Sequence, residues 1–429
     1  MGTPRQSDYP DRSITLRSPA DIMRVFTDHA RALLTRLDHL QPFALHMPMV
    51  PAAIPTRALK AMDAYLIKKQ NELKAQVHDF LKWLKGSAGI SNRPDIVQRR
   101  FTILRLRFNA VLGQFDIFAD VMTQRSEHAT GVWLAGLDKV AKDALRIDST
   151  DLRGPALITY LDRGMSAAIR RARTRLPGGG QNPVAIVRVP RERMIGSGVA
   201  SSLIHEVGHQ GAALLDLIRS LRLMLDAAKE RQDIPVWALW RRWISEIVAD
   251  FWSVARIGIA STMGLMGVVS LPRAFVFRMN VDDPHPIPWI RVKLSCAIGQ
   301  ALFPHTQWQQ VADLWQSFYP PDSLEPKKQD LLFQLEASMP AFVEKVVEHR
   351  PPRLYGRSLR NAMNAEKRQP GRLDRYFNRW QSAPDQMRRA SPTLVIAVLG
   401  RAKFMGRIPP RQESVLLGDL LRFWAFKEN

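Results

Sequence analysis

Residues 201–220 read SSLIHEVGHQGAALLDLIRS, and this stretch decides how the centre of the chain is interpreted. Its apolar residues recur at three- and four-residue spacing, which predicts a helix that starts near Ser201 or Ser202 and continues to residue 230. On that helix His205 and His209 project from one face, one turn apart, and can bind the same metal ion. Glu206 is rotated by about 100° from His205 and is suited to act as a general base on a water molecule.

The next predicted helix, from Pro235 to Ile257, carries two carboxylates in the sequence ISEIVADFW. A catalytic zinc site needs three protein ligands, so the two histidines require a partner from elsewhere in the chain. Glu246 and Asp250 lie four residues apart on one apolar helix face, where an unpaired carboxylate costs several kcal/mol. We therefore expect Glu246 to bind the metal and Asp250 to accept a histidine ring N–H, most simply that of His205.

Two chance explanations compete with this interpretation. With 10 histidines in 429 residues, a His-Glu-x-x-His match is expected by chance about 0.007 times. The Glu-x-x-x-Asp companion is weaker, since it arises by chance in roughly one chain in ten. Arg241 and Arg242, one turn before Glu246, offer ordinary helix ion pairs as the rival explanation of the carboxylates.

The motif HEVGH followed by EIVAD resembles the gluzincin zinc metallopeptidases, of which thermolysin is an example, over about a quarter of the chain. The resemblance implies Zn²⁺ bound by His205, His209 and Glu246, with Glu206 as catalytic base and proton shuttle and Asp250 as the hydrogen-bond partner of a ligand. It also implies hydrolysis of a peptide or protein substrate. The same ligands can hold cobalt or manganese, and the 36 residues between His209 and Glu246 exceed the thermolysin spacing.

The β-branched run Val184–Val189, which follows a glycine- and proline-rich break, predicts a short strand before the first helix of the motif. The segment NPVAIVRV resembles the edge strand along which gluzincins align an extended peptide by main-chain hydrogen bonds. We therefore expect this strand at a sheet edge beside the metal.

The segment VDDPHPIPWIRV, residues 281–292, combines charged and aromatic side chains in a proline-stiffened stretch. A peptidase needs a donor for the oxyanion that develops during the reaction, and His285 or Arg291 could supply it. His285 is the preferred candidate. The competing interpretation is a solvated turn in which Asp282 or Asp283 caps the following helix.

Helical periodicity dominates the remainder, so we predict a mainly α fold: a thermolysin-like zinc core with a short β element between N- and C-terminal helical regions. The predicted boundaries are 1–175 for the N-terminal helical region, 176–300 for the metallopeptidase core and 301–429 for a basic C-terminal helical region. Predicted helices outside the core include one from Ser18, then Thr56–Leu84, Pro94–Leu145, Gln307–Phe318 and Lys327–His349.

Composition bounds the class of protein and its partners. The single cysteine, Cys296, excludes an intrachain disulfide, and the start of the chain has no apolar secretory core, which together predict a cytoplasmic protein. The apolar stretch Trp252–Leu271 has the length of a membrane span, but it contains Arg256 and favours a buried core helix. The net charge of +22 is typical of binding to acidic partners or polyanions.

Half of that charge lies in residues 350–429, which hold 17 basic and 6 acidic residues. Binding to nucleic acid is one interpretation, although the charges are scattered along helices as on a solvated basic surface. Three functions stay open on sequence alone: a zinc metallopeptidase, a protein with a catalytically silent zinc site, and a basic helical nucleic-acid-binding or regulatory protein.

Overall fold

Helices dominate the computed structural model, which confirms the prediction of a mainly α protein. It describes residues 19–39, 56–86, 94–119, 129–147, 157–162, 168–171, 185–190, 196–228, 234–280 and 283–426. The elements before the motif are α1 Pro19–His39, α2 Thr56–Gly86, α3 Pro94–Ala119, α4 Ala129–Leu145, β1 Leu157–Asp162, β2 Ala168–Arg170 and β3 Ala185–Pro190.

The central helices are α5 Ser197–Leu215, α6 Leu217–Ala228, α7 Ile234–Ile257, α8 Ile259–Val269, α9 Arg273–Val276 and α10 Pro288–Leu302. The later helices are α11 Gln307–Phe318, α12 Pro326–Val347, α13 Leu359–Ala362, α14 Pro370–Ser382, α15 Pro384–Arg389, α16 Pro392–Phe404 and α17 Pro410–Phe426. Most of these later helices begin with proline, which the first helical turn tolerates because its N–H groups lack intrahelical acceptors.

One predicted helix is divided in the structure, and another is described only in part. Of the run 94–145, the structure describes α3 and α4, and residues 120–128 lie outside the described residues. The run 201–230 is interrupted at Asp216, which adopts a left-handed conformation with φ 52° and ends α5. Aspartate tolerates this conformation better than most residues, so neither glycine nor proline is needed at the break.

The predicted strand is present as β3, but its expected position at a sheet edge is wrong. Among the described residues β3 is the central strand of a three-stranded sheet with the order β1-β3-β2. It pairs parallel to β1, with Leu157 opposite Ala185, and antiparallel to β2, with Ile169 opposite Val187. Ala185, Val187 and Val189 alternate along β3 and are buried. One face of β3 therefore packs against the core, while both of its edges are hydrogen-bonded to neighbouring strands.

The packing of α5 against α7 and α8 forms the centre of the molecule, and one continuous apolar cluster joins these helices to elements from both ends of the chain. Asp143, near the end of α4, accepts hydrogen bonds at the start of α16 from Ser391 Oγ at 2.7 Å and from the Thr393 amide at 2.9 Å. Helices of all three predicted regions therefore contact one another, while the boundaries at 175/176 and 300/301 stay a prediction.

The apolar stretch 252–271 belongs to two helices. Gly258, with φ 57°, separates α7 from α8, and a left-handed residue of this kind favours glycine. Most of the side chains of α8 are buried, as the core interpretation of this stretch expected. Among the described helices, none combines the length and the hydropathy that crossing a bilayer requires.

Candidate metal centre

Three side chains from α5 and α7 converge on a small volume. The ligand atoms of His205, His209 and Glu246 all lie within 4.8 Å of one another. The Oε2 atom of Glu246 is 3.2 Å from Nε2 of His205 and 3.5 Å from Nε2 of His209. Two imidazole nitrogens and a carboxylate oxygen are a ligand set that zinc and several other divalent metals accept, so the residues fit a metal ion.

This convergence depends on an unusually close approach of α5 to α7. A Cβ atom added at Gly208 would lie 2.9 Å from Cα of Ala249 and 2.9 Å from Cβ of Trp252. A Cβ added at Gly211 would overlap the ring of Trp252. Because both glycines lie beside the histidine motif, the absence of their side chains brings the two ligand-bearing helices together. Neither glycine is predicted from the sequence pattern to set the distance between the helices.

Asp250 lies one turn after Glu246 and fixes the orientation of a ligand. Its Oδ1 atom is 2.8 Å from Nδ1 of His205, which is the contact expected for this pair. The same carboxylate accepts two hydrogen bonds from Arg291 of α10, from Nε at 2.6 Å and from the terminal nitrogen at 2.8 Å. With Nδ1–H donated to Asp250, the Nε2 lone pair of His205 is left to bind a metal.

His285 approaches the same carboxylate from the loop before α10. Its Nε2 atom is 3.2 Å from Oε2 of Glu246, and its Nδ1 atom is 2.8 Å from Oδ1 of Asp283. The Asp283 carboxylate also accepts the backbone N–H of His285 at 3.0 Å. The side chain of His285 is 43% exposed, against 11% for Glu246. His285 thus stands at the open side of the cluster.

Glu206 follows His205 on α5, and within the described parts of the chain no hydrogen bond or ion pair holds its carboxylate. Although only 9% of the residue is exposed, neither carboxylate oxygen is among the fully buried polar atoms that lack a partner, so the carboxylate reaches solvent. Its charge contributes to raising the pKa of Arg291. A carboxylate in contact with solvent is consistent with a group that acts on water or substrate.

The electrostatics of the cluster couple its acids to its bases. Burial would lower the pKa of His205, but the Asp250 carboxylate, together with Glu246, outweighs burial and raises that pKa to about 9. Burial would raise the pKa of Glu246, but hydrogen bonds from the three histidine rings hold it well below its usual range. Likewise Arg291 and His205 hold the pKa of Asp250 below its usual range against the effect of burial. A bound metal ion takes the place of ring protons, because a ligand nitrogen must be unprotonated.

The structure separates the two candidate oxyanion donors. Arg291 donates two hydrogen bonds to Asp250, so it holds that carboxylate in place and does not face the open side of the cluster.

The ion pair expected from Arg241 is formed with a residue other than Glu246. Arg241 pairs with Asp226 at 2.8 Å, so an ion pair of Arg241 within its own helix does not explain the position of Glu246. Asp282 lies outside the described residues.

Cys296 of α10 is buried, and burial raises the pKa of its thiol to about 12. Such a thiol is a poor nucleophile, so the reactive groups near the cluster are carboxylates and imidazoles.

The comparisons with known proteins add no family: no family model matches the chain, and neither the curated proteins nor the solved structures contain a match.

Proposed function

We propose that this protein is a zinc-dependent metallopeptidase of the gluzincin type, acting on a peptide or protein substrate. The observation that carries the proposal is the convergence of the ligand atoms of His205, His209 and Glu246 within 4.8 Å. Glu206 is next to His205 on the same helix, and its carboxylate, which no hydrogen bond holds within the described residues, is available as the base that hydrolysis requires.

The division of roles follows from the contacts. His205, His209 and Glu246 hold the ion, and the bidentate Arg291–Asp250 pair keeps the ring of His205 in the orientation that binding needs. Zinc bound by these residues would supply a positive charge that polarises the scissile carbonyl and makes a nearby water more acidic.

Glu206 performs the proton transfers in this scheme. Its carboxylate accepts a proton from the attacking water and then delivers it to the nitrogen of the leaving amine as the peptide bond breaks. This residue is 9% exposed. Its freedom from other hydrogen bonds leaves both oxygens available to water and to the leaving group.

His285 is the donor to the carbonyl oxygen. As an imidazolium it donates Nδ1–H to Asp283, which fixes the ring. Its Nε2–H, which lies 3.2 Å from Oε2 of Glu246, would be released when Glu246 binds the ion and would then donate to the oxygen on which negative charge develops. Its 43% exposure suits a group that contacts substrate at the opening of the site.

An extended peptide would pair with β2. Among the described strands β2 is an edge strand that contacts α5, and it replaces β3 as the candidate for pairing with an extended peptide.

One observation favours a second function, a catalytically silent metal site. Nε2 of His285 lies 3.2 Å from the same Glu246 oxygen that the other histidines approach. If His285 were a fourth ligand, the coordination would be closed and there would be no open position for water. The two functions differ in what the loss of His285 does: a donor affects turnover, and a ligand affects affinity for the metal.

The test measures metal content and hydrolysis on the same preparations. We expect one zinc per chain by elemental analysis in the wild type and in Glu206→Gln, and its loss in His205→Ala and Glu246→Ala. A mixed library of fluorescence-quenched peptides, analysed by mass spectrometry, should show cleavage by the wild type and at least about 100-fold slower cleavage by Glu206→Gln.

His285→Ala separates the two functions. Retained zinc with turnover reduced about 100-fold supports the peptidase, because loss of one oxyanion donor typically costs this much. A large loss of zinc affinity in His285→Ala, with no cleavage of the library by the wild type, would establish the silent site instead. Wild-type protein that contains no metal after chelator-free purification would overturn both.

A further inference from the structure

A small cavity lies beside the start of α5, away from the metal centre. It is bounded by α1, α3, α8, α16 and the first turn of α5, and its volume is about 130 Å³. Ser197, which lines the cavity, precedes His205 by eight residues, about 12 Å along a helix. An apolar cavity of roughly 150 Å³ holds one benzene ring. The cavity therefore has the size of a single ring, and it shares no residue with the metal centre.

Most of the cavity wall is apolar, and part of it is aromatic. The side chains that form this part of the wall include Val25, Phe101, Phe108, Met263, Leu314 and Phe404. Gly267 of α8 also lines the cavity, and a Cβ atom added there would have no neighbour within 4 Å. Aromatic rings pack favourably against one another edge-on or offset, so this wall favours an aromatic occupant.

Three polar side chains also line the cavity, and they lack hydrogen-bond partners in the described part of the chain. Asp28 and His29 belong to α1, and Asn109 belongs to α3. Within the described residues none of these side chains makes a hydrogen bond. None of their nitrogen or oxygen atoms is among the fully buried atoms that lack a partner, so these atoms are accessible from the cavity. A bound molecule could supply the partner that polar groups inside a protein normally have.

These three groups offer both donors and acceptors of hydrogen bonds. Burial, together with the charges of nearby basic residues, lowers the pKa of His29 to about 3, so its ring is neutral near pH 7. A neutral imidazole donates through one nitrogen and accepts through the other. The amide of Asn109 also does both, and the carboxylate of Asp28 accepts. A hydroxyl group, which donates one hydrogen bond and accepts others, matches this set.

The charged residues of the wall favour a neutral occupant. Arg105 donates hydrogen bonds to two backbone carbonyls near the end of α8, and Lys403 pairs with Glu413 at 2.7 Å. The charges of Arg24 and Lys403 also act on Asp28, the one carboxylate of the wall. Because these charges already have partners, an ionic ligand would lose its hydration without gaining a free counter-charge from them.

We propose that this cavity binds a small neutral molecule made of one aromatic ring and a hydroxyl group, of the chemical class of the phenols. The ring would pack against Phe101 and Phe108, and the hydroxyl group would exchange hydrogen bonds with the polar side chains of α1 and α3. The proposal does not depend on the metal centre, because none of the residues that line the cavity is a metal ligand.

Isothermal titration calorimetry of the full-length protein with phenol tests the proposal. We expect saturable binding with a dissociation constant of about 1 mM or tighter, which is ordinary for a ligand of this size. Toluene, which has the ring without the hydroxyl group, should bind at least about threefold more weakly. Benzoate, which has the ring with a negative charge, should bind at least about tenfold more weakly.

Three variants test the position of the site. Gly267→Leu should fill the open space and weaken phenol binding at least about tenfold. Asn109→Leu and His29→Phe each remove a polar group, so each should weaken phenol binding by about two- to tenfold and leave toluene binding within about twofold. Circular dichroism verifies that each variant folds.

Gly371→Leu is the matched control, since Gly371 is exposed on α14, has no neighbour within 4 Å of an added Cβ and does not line the cavity. It should bind phenol as the wild type does. The proposal is overturned if phenol shows no saturable binding, or if toluene or benzoate binds as tightly as phenol. Unchanged phenol affinity in folded Gly267→Leu, or in both Asn109→Leu and His29→Phe, would also overturn it.

Discussion

The close approach of α5 and α7 at Gly208 yields the sharpest prediction about the metal centre. In Gly208→Ala the new methyl group would lie 2.9 Å from both Cα of Ala249 and Cβ of Trp252. Carbon atoms in contact normally lie about 3.5–4.0 Å apart, so the helices must separate by about 0.6–1.1 Å. No rotamer change relieves this, because the obstructing atoms belong to the backbone of α7 or are attached directly to it.

That displacement exceeds what a metal site tolerates. The histidine ligands would move with α5 while Glu246 stays with α7, and metal–ligand distances hold to about 0.2 Å. We expect the dissociation constant for zinc to rise at least about 100-fold. The free energy of unfolding without metal should fall by about 1–3 kcal/mol, the usual cost of overpacking.

Competition with a chelating indicator dye measures the zinc affinity, and urea unfolding in the presence of a chelator measures the stability. Gly371→Ala is the control, since the same substitution at this open helical position should stabilise by up to about 1 kcal/mol and leave zinc affinity unchanged. If Gly208→Ala binds zinc with wild-type affinity, the close helix contact at Gly208 does not set the positions of the histidines relative to Glu246, and the prediction is refuted.

Three further outcomes follow from the same contacts. Asp250→Asn should weaken zinc binding by about 10- to 100-fold, measured by dye competition, because His205 loses its charged partner; unchanged affinity would contradict this. Asp283→Ala should keep zinc but lower the turnover of the peptide library about tenfold, because the ring of His285 is released; a loss of zinc would instead implicate His285 as a ligand. Since the pKa of His29 is about 3 when folded and near 6.5 when unfolded, stability should fall as pH drops from 6.5 toward 3. The slope should reach at most about 1.4 kcal/mol per pH unit, and urea unfolding of His29→Phe should lack this contribution.

The residues of the cluster could be predicted because they lie on regular helices. His205 and His209 are four residues apart on α5, and Glu246 and Asp250 are four residues apart on α7, so each pair can be assigned to one helix face without knowledge of the tertiary fold. The contact between Asp250 and His205 could be anticipated from the cost of burying a carboxylate. The peptidase activity, the substrate, the cytoplasmic location and the binding of polyanions stay predictions.

What the sequence did not predict depends on contacts between distant residues. The strands β1 and β2 are short, and their pairing with β3 is a property of the sheet, so the expected edge position of β3 was wrong. The pairing of Arg291 with Asp250 joins residues 41 positions apart. The break at Asp216 lacked the glycine or proline that usually marks a helix end.

The hydrogen bonds of Asp143 to the start of α16 have a consequence for synthesis on the ribosome. Asp143 and Thr393 are 250 residues apart in the sequence. Translation of the chain between them takes about 12–50 s at about 5–20 residues per second. Until then α5 and α8 lack the helix whose Gly400 packs against Ser197 and Ala260. We expect nascent chains that end before residue 391 to be cleaved rapidly in α5 by an added protease, and chains that extend past residue 426 to resist it. Equal resistance of both would show that the central helices are protected before the C-terminal helices emerge.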